Sequence, residues 1–235
     1  SEGWSKNFLK KLIYKVFLRL SDQVIVNSYD FKKELDNKFK INSVVIFNPL
    51  NKFEIQKKSR EKLKFNFYKK SKIKLITVGR LVDQKDQLTL LKAINLIKEK
   101  NIQLLIIGNG EKKKKLIDYI VKKKLSSVVK IISYKTNPYK YIKKANIFIL
   151  TSKFEGLPNV LLEALALKKY IISTNCPTGP REILLNGKGG DLVKIGDYET
   201  LSKKILNYSI KNNKLKNKLN KKINLGYQNL NRFDY

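Results

Sequence analysis

Two kinds of apolar pattern alternate along the chain. Short, nearly continuous apolar runs occur at Ile73–Val78, Ile102–Ile107, Val128–Ser133, Ala145–Leu150, Tyr170–Thr174 and Asp191–Lys194. Bounded by turn residues, they read as strands covered on both faces, as in a parallel sheet. Between them the apolar residues recur at helical spacing. Gln87–Lys98 carries Leu88, Leu91, Ile94 and Ile97 on one face, and Glu111–Lys124 and Pro138–Lys144 follow the next two strands. A helix opening at Pro158 buries Leu161, Leu162, Leu165 and Leu167, and a short one starts at Gly179-Pro180-Arg181-Glu182. Lysine-rich helices over 198–225 turn Leu201, Ile205, Leu215 and Leu219 inward. This alternation predicts an α/β fold, a doubly wound parallel sheet of Rossmann-like type. Such sheets bind ligands at the C-terminal ends of their strands.

Ahead of this region the pattern is sparser. Residues 4–20 form an amphipathic helix with Trp4, Phe8, Leu12, Val16 and Leu20 on one side and Lys6, Lys10, Lys11, Lys15 and Arg19 around the rest. Packing against a core is the first expectation, and lying on anionic lipid the second. A strand at Asp22–Asn27, a helix from an N-capping Ser28 to about Phe39 with Phe31 and Leu35 inward, and a strand at Ser43–Phe47 complete residues 1–48. Residues 49–72 are lysine-rich with scattered aromatics and read as a linker or irregular segment.

The composition narrows the function. Hydrophobic residues make up 42%, enough for a real core. No apolar run approaches the ~18 residues of a membrane span, and no signal peptide is visible. The single cysteine, Cys176, permits no internal disulfide, which fits a cytoplasmic home. The formal charge of +32 raises nucleic acid as a partner, but only 5 of the 51 basic residues are arginine. Readers of bases and phosphates favour arginine's planar fork. Lysine scattered over every segment reads first as a solvated surface, then as attraction to an anionic membrane, and last as nucleic-acid binding. The absence of histidine excludes a Cys–His mechanism and weakens both a zinc site and Ser–His–Asp hydrolysis. Cys176 reads as a passive loop residue.

The candidate chemistry lies at strand ends. Gly79-Arg80 with Lys85 places two cations after a strand, suited to a diphosphate leaving group. Gly108-Asn109-Gly110-Glu111 reads either as a phosphate- or sugar-admitting loop or as a tight turn that needs glycine. In TSKFEGLPNVLLEALA (151–166), Glu155 precedes a glycine turn and a helix start whose unpaired N–H groups suit a phosphate or polar ligand. Glu163 lies one turn past Asn159, so both can face one ligand. A carboxylate among Leu161, Leu162 and Leu165 needs a donor, and a vicinal ribose diol would satisfy it.

These pieces resemble the group 1 (family 4) retaining glycosyltransferases of GT-B fold. The matching stretches are VGRLVDQKD (78–86), LLIIGNGEKKKKL (104–116), ANIFILTSKFEGLPNVLLEALA (145–166), IISTNCPTGPREIL (171–184) and GGDLVKIGD (189–197), with the spacing Glu155-x7-Glu163 as the family signature. The NCPTGPREIL loop is most similar to transferases of surface-polysaccharide or lipid-linked oligosaccharide assembly. The resemblance implies a donor-binding Rossmann-like domain over 73–225, a remnant of a second such domain over 1–48, and the start of a crossover at 226–235. It implies catalytic roles for Glu155, Arg80 and Lys85, with the two cations on the diphosphate. Glu163 would hold the ribose, and Gly156, Leu157, Asn159 and Val160 the sugar and phosphate. Asn109 and Gly110 would line the site, and Ile132, Ser133 and Tyr134 would lie against the base, although family members often carry glycine where Ser133-Tyr134 stand. The implied reaction moves a sugar from a UDP-sugar to a glycan or lipid-linked acceptor with retention, requiring no metal or other cofactor. The implied location is the cytoplasm, with peripheral membrane contact as an open partner. Without most of the N-terminal domain, the chain is expected to keep the donor site and transfer sugar poorly or not at all. A nucleic-acid- or anionic-membrane-binding Rossmann-like module is the alternative, and a nucleotide-sugar epimerase a weaker one.

Overall fold

A computed structural model describes residues 8–70, 72–98, 100–208 and 212–233, with side chains from residue 12 onward. Trp4 and Lys6, and the side chains of Phe8, Lys10 and Lys11, lie outside the described residues. The chain runs α1 (Phe8–Leu20), β1 (Ile25–Val26), α2 (Tyr29–Phe39), β2 (Val44–Val45), α3 (Lys52–Ser59), β3 (Ile73–Val78), α4 (Gln87–Leu96), β4 (Ile102–Ile107), α5 (Lys113–Lys122), β5 (Val129–Ile132), α6 (Tyr139–Lys144), β6 (Ile147–Leu150), α7 (Asn159–Ala166), β7 (Tyr170–Thr174), α8 (Pro180–Ile183), β8 (Asp191–Val193), α9 (Tyr198–Asn207) and α10 (Asn213–Gln228).

Six strands form one parallel sheet in the order β5-β4-β3-β6-β7-β8. From β3 the chain winds outward through β4 and β5. It then returns to the other side of β3 and winds outward through β6, β7 and β8. The direction reverses between β3 and β6, so the switch point, where sheets of this kind form their ligand crevice, lies at the C-terminal ends of these strands. The unbroken apolar runs follow from burial on both faces. In β4, Leu104 and Ile106 pack under α4, α5 and α9, while Leu105 and Ile107 pack under α3, α6, α7 and α8.

Residues 18–45 make a small second unit. β1 and β2 pair in parallel, and Val26, Leu35 and Phe39 form its core with Leu18, Phe31 and Val45 against them. Ser28 caps α2 by accepting the Phe31 N–H at 3.1 Å. This unit meets the large domain at Asp30 and Tyr29. The Asp30 N–H donates to the Glu182 carboxylate at 3.2 Å, and Arg232 pairs with Glu182 at 3.2 Å. The Arg232 guanidinium also lies 5.4 to 6.0 Å from the rings of Tyr29, Phe47 and Phe233.

Two expectations change. α1 is amphipathic, but among its described side chains only Leu18 packs on a core. Leu12, Ile13, Val16, Phe17 and Leu20 are exposed, because the two-stranded sheet and α2 offer too little apolar surface to cover them. Residues 49–72 are not irregular throughout. Asn51 caps α3 by accepting the Glu54 N–H at 2.8 Å, and Leu50 and Ile55 are buried. Phe65 then meets Phe67, Tyr68 and Tyr141 edge-on, and the Tyr68 hydroxyl donates to the Leu75 carbonyl at 2.7 Å. The lysines between these residues mask an apolar set that seals one edge of the sheet. At the other end, Leu230 and Phe233 are buried, and the Phe233 carbonyl accepts the Leu50 N–H at 2.9 Å. Among the described residues no helix is long and apolar enough to cross a membrane.

Candidate donor site at the strand ends

The loops after β3 and β6 meet over the crevice. Lys85, closing a 3-10 turn, reaches across so that its Nζ lies 2.6 Å from Glu155 Oε1; the two side chains are 16% and 7% exposed. Ser152 donates to the same carboxylate oxygen. The backbones are knitted as well: Lys153 N–H donates to the Gln84 carbonyl at 2.8 Å, and the Gln84 carboxamide donates to the Phe154 carbonyl at 2.9 Å. Lys85 and Glu155 thus share one site rather than occupying two. Arg80 follows β3 with its side chain exposed and makes no ion pair among the described residues.

The turn after Glu155 is held from one side. Thr178 donates its N–H and hydroxyl to the Glu155 carbonyl at 3.0 and 3.1 Å, and the Glu155 N–H donates to the Pro177 carbonyl at 2.6 Å. Gly179 is pressed against this turn so closely that a Cβ there would sit 2.1 Å from the Gly156 carbonyl oxygen. The Glu155 and Gly156 carbonyls are therefore occupied. The N–H groups of Gly156, Leu157, Asn159 and Val160 find no acceptor among the described residues. Four free donors at a helix start, with the positive end of the helix dipole behind them, make a receptor for an anion or hydroxyl group.

Glu163 lies on the next turn of α7, in a cleft of about 210 Å³ lined by Pro49, Leu50, Asn51, Glu54, Tyr139 and Asn159 among others. Among the described residues its carboxylate accepts one hydrogen bond, from the Tyr139 hydroxyl at a long 3.4 Å. Burial raises the carboxyl above its ordinary 4.5, and the Tyr139 donor only partly offsets this. Burial, followed by the Glu163 charge, pushes Tyr139 itself up to about 12. Asn159 accepts from the Asn48 carboxamide at 2.8 Å. The expected shared orientation of Asn159 and Glu163 is present.

The loops after β4 and β5 sit beside this crevice. A Cβ on Gly108 would lie 1.9 Å from the Gly79 carbonyl oxygen, so close packing of two turns accounts for that glycine. Asn109 and Gly110 follow it at the surface. The Ile132 carbonyl accepts the Gly108 N–H at 3.0 Å, Ser133 accepts from Lys113 at 3.4 Å, and Tyr134 is 65% exposed. Cys176 is buried, and burial, with the Glu155 charge opposing ionisation further, pushes its thiol up to about 11. It is an unreactive thiol at neutral pH.

Sequence reasoning missed Tyr139, Asn48, Asn51 and Glu54. Tyr139 opens a short helix far from α7 in sequence, and nothing local marks its contact with Glu163. The Asn51-x-x-Glu54 spacing was a legible capping signal inside the lysine-rich stretch.

A doubly wound parallel sheet with cations, free amides and buried carboxylates at its switch point defines a Rossmann-like ligand-binding domain of GT-B type. The description "Glycosyl transferases group 1" matches residues 58–225, and the chain belongs to that family. It is 37% identical over 194 residues to an uncharacterized glycosyltransferase of Methanocaldococcus jannaschii, a match covering 78% of this chain and 48% of that protein. It is 28% identical over 205 residues to the N-acetylgalactosamine-N,N'-diacetylbacillosaminyl-diphospho-undecaprenol 4-alpha-N-acetylgalactosaminyltransferase of Campylobacter jejuni, covering 84% of this chain and 54% of that one. Among solved structures, Anabaena HepE in complex with UDP and glucose superposes with a TM-score of 0.82 at 17% identity, over 99% of this chain and 64% of that chain. The chain spans about half the length of these curated relatives.

Proposed function

We propose that this chain carries the nucleotide-sugar site of a retaining glycosyltransferase that uses a UDP-sugar and a glycan or lipid-linked acceptor. The observation that carries this reading is the convergence, at the β3/β6 switch point, of the Lys85–Glu155 pair and the four free amides of the Gly156–Val160 turn. Arg80 and Lys85 face the diphosphate and take up the charge that develops on it as the glycosidic bond breaks, the part a metal plays elsewhere. Glu155 leaves Lys85 to meet sugar hydroxyls, and the free amides share sugar and phosphate. Glu163 takes the ribose diol, which supplies the donors that Tyr139 alone does not. Tyr134 and Ile132, with Ser133, flank the base, beside Asn109 and Gly110. The UDP bound by HepE and the undecaprenol-linked acceptor named for the Campylobacter jejuni relative support the donor and acceptor classes.

Thermal melting with UDP tests this. Saturation at about a hundred times Kd stabilises by ~2.7 kcal/mol, which raises the Tm of a chain this size by roughly 5–10 °C. Arg80→Ala and Glu163→Gln abolish the shift. Glu163→Gln also changes the ligand-free protein, in the opposite sense. Because its folded-state carboxyl is held above 4.5, the folded chain binds that proton more tightly than the unfolded one. Stability therefore falls as pH rises through the window above 4.5, and at pH 7 the ionised side chain costs stability. The glutamine variant melts higher than the parent at pH 7, and the gap narrows toward pH 4. A UDP-insensitive Tm in the parent chain overturns the donor-site reading.

A further inference from the structure

We infer that Asn27, from the small unit, is a donor-site residue that hydrogen-bonds the sugar end of the nucleotide-sugar. The inference rests on the donor-site reading above. Asn27 directly follows β1, so it stands at the C-terminal end of the small parallel sheet as Glu155 stands near that of the large one. Its position is fixed from both sides. Ile46 N–H donates to the Val26 carbonyl at 2.9 Å, and Lys32 N–H donates to the Ser28 carbonyl at 2.9 Å where α2 begins. The Asp30–Glu182 hydrogen bond and the Arg232 guanidinium over Tyr29 hold this corner against the large domain.

The Asn27 carboxamide then lies over Gly156: both its oxygen and its nitrogen are 3.6 Å from where a Cβ on that glycine would stand. It is half-buried and makes no hydrogen bond among the described residues. Gly156 is the residue after Glu155 and the first of the four free amides. A carboxamide parked there, with two donors and an acceptor unspent, matches a hydroxyl-bearing ring, whose hydroxyls both give and accept. A Cβ at residue 156 would stand in ordinary van der Waals contact with that carboxamide, so the polar groups of the two units are direct neighbours, within reach of one ligand. The site is thus built from both units, and the small one contributes to recognition of the sugar rather than of the nucleotide.

Calorimetric titration with UDP, UDP-glucose, UDP-N-acetylglucosamine and UDP-N-acetylgalactosamine separates the possibilities. In Asn27→Ala the affinity for UDP stays within about twofold of the parent, which also shows that the variant is folded. The affinity for the UDP-sugar that the parent binds best falls about 5- to 10-fold, the loss of one or two hydrogen bonds. Equal loss for UDP and UDP-sugar overturns the inference, since Asn27 would then only prop the Gly156 turn. So does unchanged affinity for all four, or a parent chain that binds UDP but none of the sugars. A parent chain that binds none of the four ligands overturns the donor-site reading, and this inference with it.

Discussion

Lys85→Met destabilises the ligand-free protein by about 3–5 kcal/mol, the cost of leaving a buried charge without its partner. Adding Glu155→Gln returns most of that loss. The argument is burial. At 7% exposure, Glu155 has almost no water to fall back on, and Lys85 at 2.6 Å is its one ion-pair partner among the described residues. Removing the ammonium leaves only the Ser152 hydroxyl to stabilise the carboxylate. An uncharged glutamine keeps the shape and can still accept from Ser152, so the double variant no longer buries an unpaired ion. Urea denaturation of the four proteins closes the cycle. An effect of the Lys85 change under about 1 kcal/mol, as for an exposed pair, would show that the pair is open to solvent. On the proposed reading, the donor divides this pair: phosphates would compete for Lys85 and sugar hydroxyls for Glu155, so that neither charge would be stranded in the bound state.

Gly179→Ala is the second large effect, a loss above roughly 4 kcal/mol together with loss of the UDP-induced rise in Tm. Gly179 has φ of +88°, where an L residue is strained, and its Cβ would stand 2.1 Å from the Gly156 carbonyl oxygen. Gly187 provides the control. It has φ of +89° and nothing within 4 Å of its Cβ position, so Gly187→Ala reports the backbone term alone, about 1–2 kcal/mol. The difference between the two variants measures the clash with Gly156. To relieve that clash, the Gly156–Val160 turn must move, and its free amides move with it. Equal losses for the two variants would mean that the turn yields at little cost.

The large sheet was legible because its signal is redundant. β3, β4 and β7 have the bounds that their apolar runs predict, and each is flanked by Gly, Asn or Lys turns that no buried helix would tolerate. Glu155, Lys85 and Gly156 were legible as residues at strand ends. Their mutual contact was not, because strand order is absent from local pattern: only the reversal between β3 and β6 brings residues 85 and 155 together. Residues 49–72 were misread because lysine, used throughout this chain as surface filler, hid the five-residue step from Leu50 to Ile55 and the aromatic trio at 65, 67 and 68. Asn27 and Tyr139 were invisible for a simpler reason. Each acts through a neighbour more than 20 residues away, and an isolated Asn or Tyr carries no pattern.

The most direct measurement is a crystal structure of the chain with UDP bound. The account predicts both phosphates within hydrogen-bond reach of Arg80 or Lys85, with Lys85 drawn away from Glu155. It also predicts the ribose hydroxyls on Glu163 and the uracil beside Ile132–Tyr134. UDP bound elsewhere, or in this crevice with its ribose away from Glu163 and the Lys85–Glu155 pair intact, would contradict it.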